Sequence, residues 1–275
     1  MTGNTYLENV EFKRDVELTL RDEEEGFKVN NVKFDADRIT LLLIGDEHIG
    51  SANHHKGLHM KVLEHAYDAG WFLIHMGDMV EAATRNSIGA GVYSQEQIID
   101  MQMSEAVARY APFVEAGRMI GFHPGNHEMR AMKDDGVNLT RHMCREMNGK
   151  YLGVAKPHLF RVGNQTYTIY TTHGASGARL PYTKIKGALD LEKVINVELY
   201  AMGHVHQLSH HVRNYFEIDK RNRSVRTKQK HFLLTGSYLD YANSYAQVKC
   251  MEPARMGSPI ITLGGEEKQI KISLQ

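Results

Sequence analysis

Residues 121–130 read Gly-Phe-His-Pro-Gly-Asn-His-Glu-Met-Arg, or GFHPGNHEMR. A short apolar run, Met119–Phe122, leads into this stretch, and a charged, helix-like stretch follows it. Between the two, a proline and a glycine favour a tight turn. That turn carries an amide, an imidazole and a carboxylate side by side, on Asn126, His127 and Glu128. A strand ending this way puts polar groups at its carboxyl end, where functional groups gather in open α/β sheets.

Outward from this point the arrangement recurs. Ile39–Ile44 is continuous and apolar, as expected of a strand buried on both faces, and stops at Gly45-Asp46-Glu47-His48. Trp71–Met76 stops at Gly77-Asp78, and Thr166–Thr171 at His173-Gly174. Val197–Met202 stops at Gly203-His204-Val205-His206. Residues 55–69 carry a helical period through Leu58, Val62, Leu63 and Ala66, closed by Gly70. Residues 94–116 predict a second helix, kinked or divided at Pro112, and residues 137–148 a third. Gly163-Asn164 between alternating runs predicts a hairpin. Residues 5–38 predict short antiparallel strands with turns at Asp22–Gly26 and Asn30-Asn31. Past residue 207 the pattern is mostly strand: His210–Ile218, Lys230–Leu234, Ile260–Leu263 and Ile270–Leu274. No Pro/Gly/Ser-rich linker intervenes. The expectation is one α/β domain over 1–275, with two sheets and helices outside them. Residues 1–38 form an N-terminal strand extension of it, and 207–275 a β-rich C-terminal part.

The 275 residues include 33 basic and 33 acidic side chains, for a formal charge of zero. That balance removes whole-molecule steering toward nucleic acid or an anionic membrane, but leaves room for a local basic patch. The polar N-terminus lacks the pattern of a signal peptide, and no apolar run is long enough to span a bilayer. A cytoplasmic protein with no membrane partner is expected. Cys144 and Cys250 stand alone, which suggests neither a disulfide framework nor a thiolate metal site.

Asp46, His48, Asp78, Asn126, His173, His204 and His206 are therefore candidate metal ligands. An Asp/His/Asn set without Cys suits Mn, Fe, Zn or Co, whereas calcium would want oxygen only. Two divalent cations would bring four positive charges against the two carboxylates of Asp46 and Asp78. A centre left net positive in this way receives a phosphate oxyanion, so phosphoryl chemistry is expected rather than redox work.

In this order, Asp46-Glu47-His48, Gly77-Asp78, Gly125-Asn126-His127-Glu128, His173 and Gly203-His204-Val205-His206 resemble the five signature blocks of the calcineurin-like metallophosphoesterases. The resemblance spans roughly residues 40–206. It implies a four-layer α/β/β/α sandwich of two mixed sheets flanked by helices, with the metal site at strand carboxyl ends. It also implies two divalent metal ions, with manganese first and Fe, Zn, Co or Ni as alternatives. One would be held by Asp46, His48 and His206, the other by Asn126, His173 and His204, with Asp78 bridging. His127 would be catalytic rather than a ligand, either as the general acid facing the leaving oxygen or as an imidazolium stabilising the phosphate. Glu81 stands where relatives often have an Asp that orients this histidine, so it is a candidate partner of His127. Glu128 is expected in the first turn of the next helix, where an acid complements the dipole.

The implied function is dinuclear-metal-dependent hydrolysis of a phosphate ester. A phosphodiesterase acting on a nucleotide or nucleic acid is favoured, because Lys220–Lys230 is rich in Lys and Arg and contains no acid. The alternatives are a phosphomonoesterase or protein phosphatase on the same centre, and a non-catalytic metal-binding scaffold. The plain reading of Lys220–Lys230 is a solvated hairpin tip. Arg85, Arg130, Arg179 and Tyr182 follow ligand turns and are candidates for touching a substrate phosphate. Of the other histidines, His54, His55, His59 and His65 read as surface or helix-capping residues and His75 as packed core. His123 is a candidate for supporting the site, and His210 and His211 read as strand-face residues.

Overall fold

The computed structural model describes residues 27–85, 87 and 95–275. Alternation along the buried strands sets its layers. In β2 (Arg38–Ile44), Leu41 and Leu43 pack into one core, while Leu42 and Ile44 pack into another on the opposite face. β7 (Leu199–Met202) does the same, with Leu199 and Ala201 on one side and Tyr200 and Met202 on the other. Successive strand residues face opposite ways, so an unbroken apolar run needs a core on both sides.

Two mixed sheets result. One has the order β11 (Ile270–Leu274), β10 (Pro259–Gly264), β2, β3 (Phe72–His75), β4 (Met119–Phe122). Here β2, β3 and β4 are parallel, and β10 and β11 are antiparallel additions. The other has the order β1 (Asn30–Phe34), β5 (Ala155–Val162), β6 (Gln165–Thr172), β7, β9 (Ser224–Thr235), β8 (Leu208–Asp219). The pairs β1–β5, β6–β7 and β7–β9 are parallel, and β5–β6 and β8–β9 antiparallel. The sheets share a core that includes Leu41, Leu43, Ile74, Phe160, Ile169 and Leu233. Outside the first sheet, α1 (Lys56–Asp68), α2 (Ile99–Glu115), α3 (Asn126–Asp135) and α4 (Leu139–Met147) bury Leu63, Tyr110, Ala131 and Met143. Outside the second, α5 (Pro181–Asp190) covers Tyr200, Phe232 and Leu234 with Ala188 and Leu189. This is the expected four-layer α/β/β/α sandwich.

Several local expectations change. The helix expected over 94–116 begins at Ile99 and continues through Pro112 undivided. Asn30-Asn31 opens β1 instead of turning, and β1 pairs in parallel with β5. Asn30 is buried there, with Nδ2 3.0 Å from His158 Nδ1 and Oδ1 accepting from Lys150 Nζ at 2.7 Å. These tertiary bonds outweigh the turn preference of two asparagines. α5 was not anticipated, although Pro181 in its first turn is a start signal. The strands and the Asp22–Gly26 turn expected before residue 27 lie outside the described residues. No helix among the described residues is long and apolar enough to cross a membrane.

Candidate metal centre

The carboxyl ends of β2, β3, β4, β6 and β7 each deliver one turn to the same region, and the turns are tied to one another. Beyond β2 and β3 the backbone stays zipped: Asp46 N donates to Gly77 O at 2.9 Å, His48 N to Asp78 O at 3.1 Å and Ile49 N to Met79 O at 2.8 Å. His127 N donates to Asp78 Oδ1 at 2.9 Å, and His204 N to Asp46 Oδ2 at 3.0 Å. Gly125 has to be glycine here. A Cβ on it would lie 2.0 Å from Asp78 Oδ1, so the β3 and β4 turns meet only where no side chain intervenes. Gly77, at φ 100°, is the second such position.

Five of the candidate ligands have left-handed backbone: Asp46 (φ 55°), His48 (51°), Asp78 (52°), His204 (69°) and His206 (49°). Each such non-glycine residue costs about 1–3 kcal/mol. Half of the ten positive-φ non-glycine residues described are these ligands, so backbone strain is concentrated here.

All seven candidates are brought together. Ligand atoms of Asp46, His48, Asp78 and His206 lie within 4.8 Å of one another, as do those of Asp78, His173 and His204. Asn126 joins the second group, its Oδ1 lying 3.0 Å from His173 Nε2 and 2.6 Å from His204 Nδ1. Asp78 belongs to both groups, with Oδ2 3.7 Å from His48 Nε2 and 3.4 Å from His173 Nε2. The rings are aimed from behind. His173 Nδ1 donates to Met76 O at 2.9 Å, which turns Nε2 inward. His204 Nε2 donates to Ser176 O at 3.1 Å, which turns Nδ1 inward. His48 Nδ1 lies 3.1 Å from Glu81 Oε2.

The electrostatics fit a cation. Burial opposes charge on His48, but the bond to Glu81 and the nearby Asp78 and Asp46 raise its pKa to about 9. Burial likewise opposes charge on His173, and Asp78, Asp46 and Glu128 raise it to about 10. Asp78 is held well below the usual carboxylate range by His173 and His127 despite its burial. The carboxylates thus set up a negative potential that positive charge must answer. His48 Nε2 and His206 Nε2 lie 3.2 Å apart, close enough either to share one proton or to face a common cation. Nitrogen and oxygen donors without thiolate, aimed at a common point, can hold a metal ion.

His127 stands outside those two groups, and with His48 and Glu81 it forms a third set whose ligand atoms lie within 4.8 Å of one another. Its Nδ1 donates to Glu81 O at 2.7 Å and is 3.4 Å from Glu81 Oε1, while Nε2 is 4.0 Å from Asp78 Oδ2. Glu81 therefore touches both His48 and His127, and these two hydrogen bonds hold its pKa well below normal against burial. Glu128 does more than complement a helix dipole. Its carboxylate accepts from Gly125 N at 2.8 Å, Asp78 N at 3.2 Å and Val80 N at 3.0 Å, so it fastens the β4 turn to the β3 turn. Burial and the Asp78 charge push its pKa up.

Arg85, Arg179 and Tyr182 are exposed, and Arg130 donates to Ser87 Oγ at 2.6 Å. His55 caps α1, its Nδ1 accepting from Leu58 N at 3.1 Å. His59 is not a surface residue. It is fully buried and bonded to Tyr110 and Arg109. His75 is core as expected, but polar core, bonded to the buried carboxylate of Glu47. His123 is buried against Gly153 O at 2.6 Å and Thr171 Oγ1 at 2.7 Å. Sequence reasoning passed over Glu47 as the spacer between two ligands. Its signal was an acid at a position where the neighbouring strand end is wholly apolar except for His75.

No family model matches the chain, and no curated protein matches it. Similar solved structures include a single mutant of Vps29 from Entamoeba histolytica, 14% identical over 86% of this chain and 98% of that one, with a TM-score of 0.39. A conserved uncharacterized protein from Streptococcus pneumoniae, described as a predicted phosphoesterase, is 12% identical over 86% of this chain and 98% of its own, with a TM-score of 0.36. Wild-type Vps29 complexed with zinc, from Entamoeba histolytica, is 13% identical over 86% and 98% of the two chains, also with a TM-score of 0.36. At such TM-scores the likeness carries no weight for function.

Proposed function

We propose that the chain is a dinuclear-metal-dependent phosphoester hydrolase, and specifically a phosphodiesterase acting on a nucleotide or nucleic acid. One observation carries the reading: two groups of candidate ligands share Asp78, and with Asn126 they draw on five strand ends. Asp46, His48 and His206 would hold one divalent cation and Asn126, His173 and His204 the other, with manganese the first to test. Such a pair supplies Lewis acidity toward a phosphoryl oxygen and lowers the pKa of a water. The chain's own residues do the rest. Asp78 holds the two groups in register. Glu81 sets the ring of His127, and the Nε2 of that ring faces the centre, placed to hand a proton to a leaving oxygen as general acid.

Lys220–Lys230 bears on the substrate only at a distance. β9 runs parallel to β7, so its start, and the β8–β9 tip, lie at the sheet edge opposite the ligand turns. Twelve residues of β8 at ~3.4 Å each put the tip about 40 Å from His206. A nucleic acid contacting both would have to be a polymer crossing the whole sheet.

Metal analysis of the purified protein should find close to two ions per chain, and bis-(p-nitrophenyl) phosphate should be hydrolysed faster than p-nitrophenyl phosphate. The reverse preference would make it a monoesterase. Bound metal without turnover on either would make it a scaffold. His127→Ala should retain both ions and lose about 10²–10⁴-fold in turnover. Full activity in that variant would remove the acid role.

A further inference from the structure

Under the metal centre lies a second polar cluster that coordination does not use. Glu47 sits between the candidate ligands Asp46 and His48, but its side chain turns away from them into the core beneath α2, where it is fully buried. Its carboxylate receives Tyr110 Oη, and His75 Nε2 lies 3.1 Å from both of its oxygens. Donors converge on it in one sense. His75 Nδ1 accepts from Gly77 N at 3.1 Å, so the ring proton sits on Nε2 and points at Glu47. On the other side, Arg109 Nη1 donates to His59 Nδ1 at 2.9 Å, leaving His59 Nε2 to donate to Tyr110 Oη at 3.1 Å. The tyrosine hydroxyl then donates to Glu47. The chain begins at the surface, where Lys56 and Arg109 both bind Glu105.

We infer that Glu47 is a positioning residue for the cation of the Asp46, His48 and His206 group. Its anchored carboxylate pins the turn in which Asp46 and His48 are forced into left-handed backbone, and through His75 and Gly77 N it ties that turn to the next strand end. The inference rests on the two-cation reading. Asp46 and His48 flank Glu47, so any twist of its anchored side chain rotates both ligands. Asn126, His173 and His204 come from other strand ends; of the three, His173 approaches the cluster, and it does so through the backbone beside Gly77, where its Nδ1 donates to Met76 O at 2.9 Å. The expected effect is therefore uneven between the two cations. Glu47→Gln keeps the shape but sets N–H groups against the donors of Tyr110 and His75, so at least one buried bond is lost.

The test is calorimetric titration of chelator-stripped protein with Mn²⁺, alongside measurement of bound metal. Wild type should take two ions. In Glu47→Gln one ion should bind about 10–100-fold more weakly, the usual effect of removing an outer partner of a metal site, with the other unchanged. In a His206→Ala background the same change should add nothing, because the affected ion is already lost. Tyr110→Phe leaves the carboxylate and removes one donor, so it should weaken the same ion by less, and it carries the test should Glu47→Gln fail to fold. Tyr200→Phe is the stability control. It loses bonds to Val197 N and Ile195 O in the outer core and should lower the melting temperature without moving either affinity. Unchanged or equally weakened affinities in Glu47→Gln would overturn the positioning role and leave the two-cation reading intact. No Mn²⁺ binding by wild type would instead remove that reading, and the inference with it.

Discussion

The two ends of the six-stranded sheet are both crowded with charge and handle it in opposite ways. At the ligand edge, acids and imidazoles converge in buried turns whose backbone is held in a costly conformation. On the β8–β9 ribbon, cations and acids alternate, with Arg213, Arg226 and Lys228 exposed and Lys230 buried. Arg226 pairs with Asp219, Lys228 with Glu217 at 3.9 Å, and Arg213 and Lys230 both with Glu192. Three of the six basic residues in the run that looks unopposed in sequence, Arg226, Lys228 and Lys230, are thus answered by acids from elsewhere in the chain. One face of the ribbon, through Phe216, Ile218 and Val225, carries no charge along its length. Density of charge alone therefore does not mark a functional site. What sets the candidate metal centre apart is charge that is buried and carried on strained backbone.

Asp78→Asn is the hardest blow to this contrast. It removes the one carboxylate common to both groups, and metal affinity should drop by more than about 100-fold, with hydrolysis lost as well. Metal analysis after gel filtration checks this. Retention of both ions would mean the two groups do not act as one centre.

Acid titration probes the buried side more gently. Burial holds His59 and His123 neutral down to a pKa of about 3, and lowers His158 as well. Unfolded, each would bind a proton near about 6.5. Between those values the unfolded chain carries more protons, so stability should fall as the pH drops from about 6.5 toward 3, at about 1.4 kcal/mol per unit for each such histidine. Urea melts of wild type and His123→Gln across this range would show it, and the variant should have the shallower slope. Equal slopes would mean His123 takes no part.

The ribbon should respond least. Arg226 and Lys228 are exposed, so Arg226→Gln with Lys228→Gln should shift stability by about 1 kcal/mol or less and leave metal content unchanged. Salt-dependent weakening of single-stranded DNA binding in that variant, followed by fluorescence anisotropy, would sharpen the contrast by giving the ribbon a contact role of its own.

Where the information is local, the sequence carries it. An apolar run names a strand, a glycine names its end, and the side chains that follow must sit near that end whatever the rest of the chain does. Asp46, His48, Asp78, Asn126, His173, His204 and His206 were legible for this reason, as was the sandwich implied by their order. Glu47 was not, because the direction of its side chain depends on positive φ at both neighbours, which no residue type announces. Glu128 was read as a helix-dipole partner because its bonds to Asp78 N and Val80 N cross between strands. Asn30 and His59 were misjudged alike: both are polar residues whose partners lie far along the chain, so local preference pointed to a turn and to the surface. The β8–β9 ion pairs escaped notice because cross-strand register, not spacing, brings the acids to the bases.

The left-handed backbone at Asp46, His48, Asp78, His204 and His206 has a consequence for anyone redesigning this chain. Glycine adopts that conformation at almost no cost, so wherever the backbone gain exceeds the loss of the side chain's own bonds, a search for thermal robustness alone would reward erasing a candidate ligand. At such a residue the hardier variant and the metal-binding one would lie in opposite directions, and a screen that scored only melting behaviour would select against the candidate site.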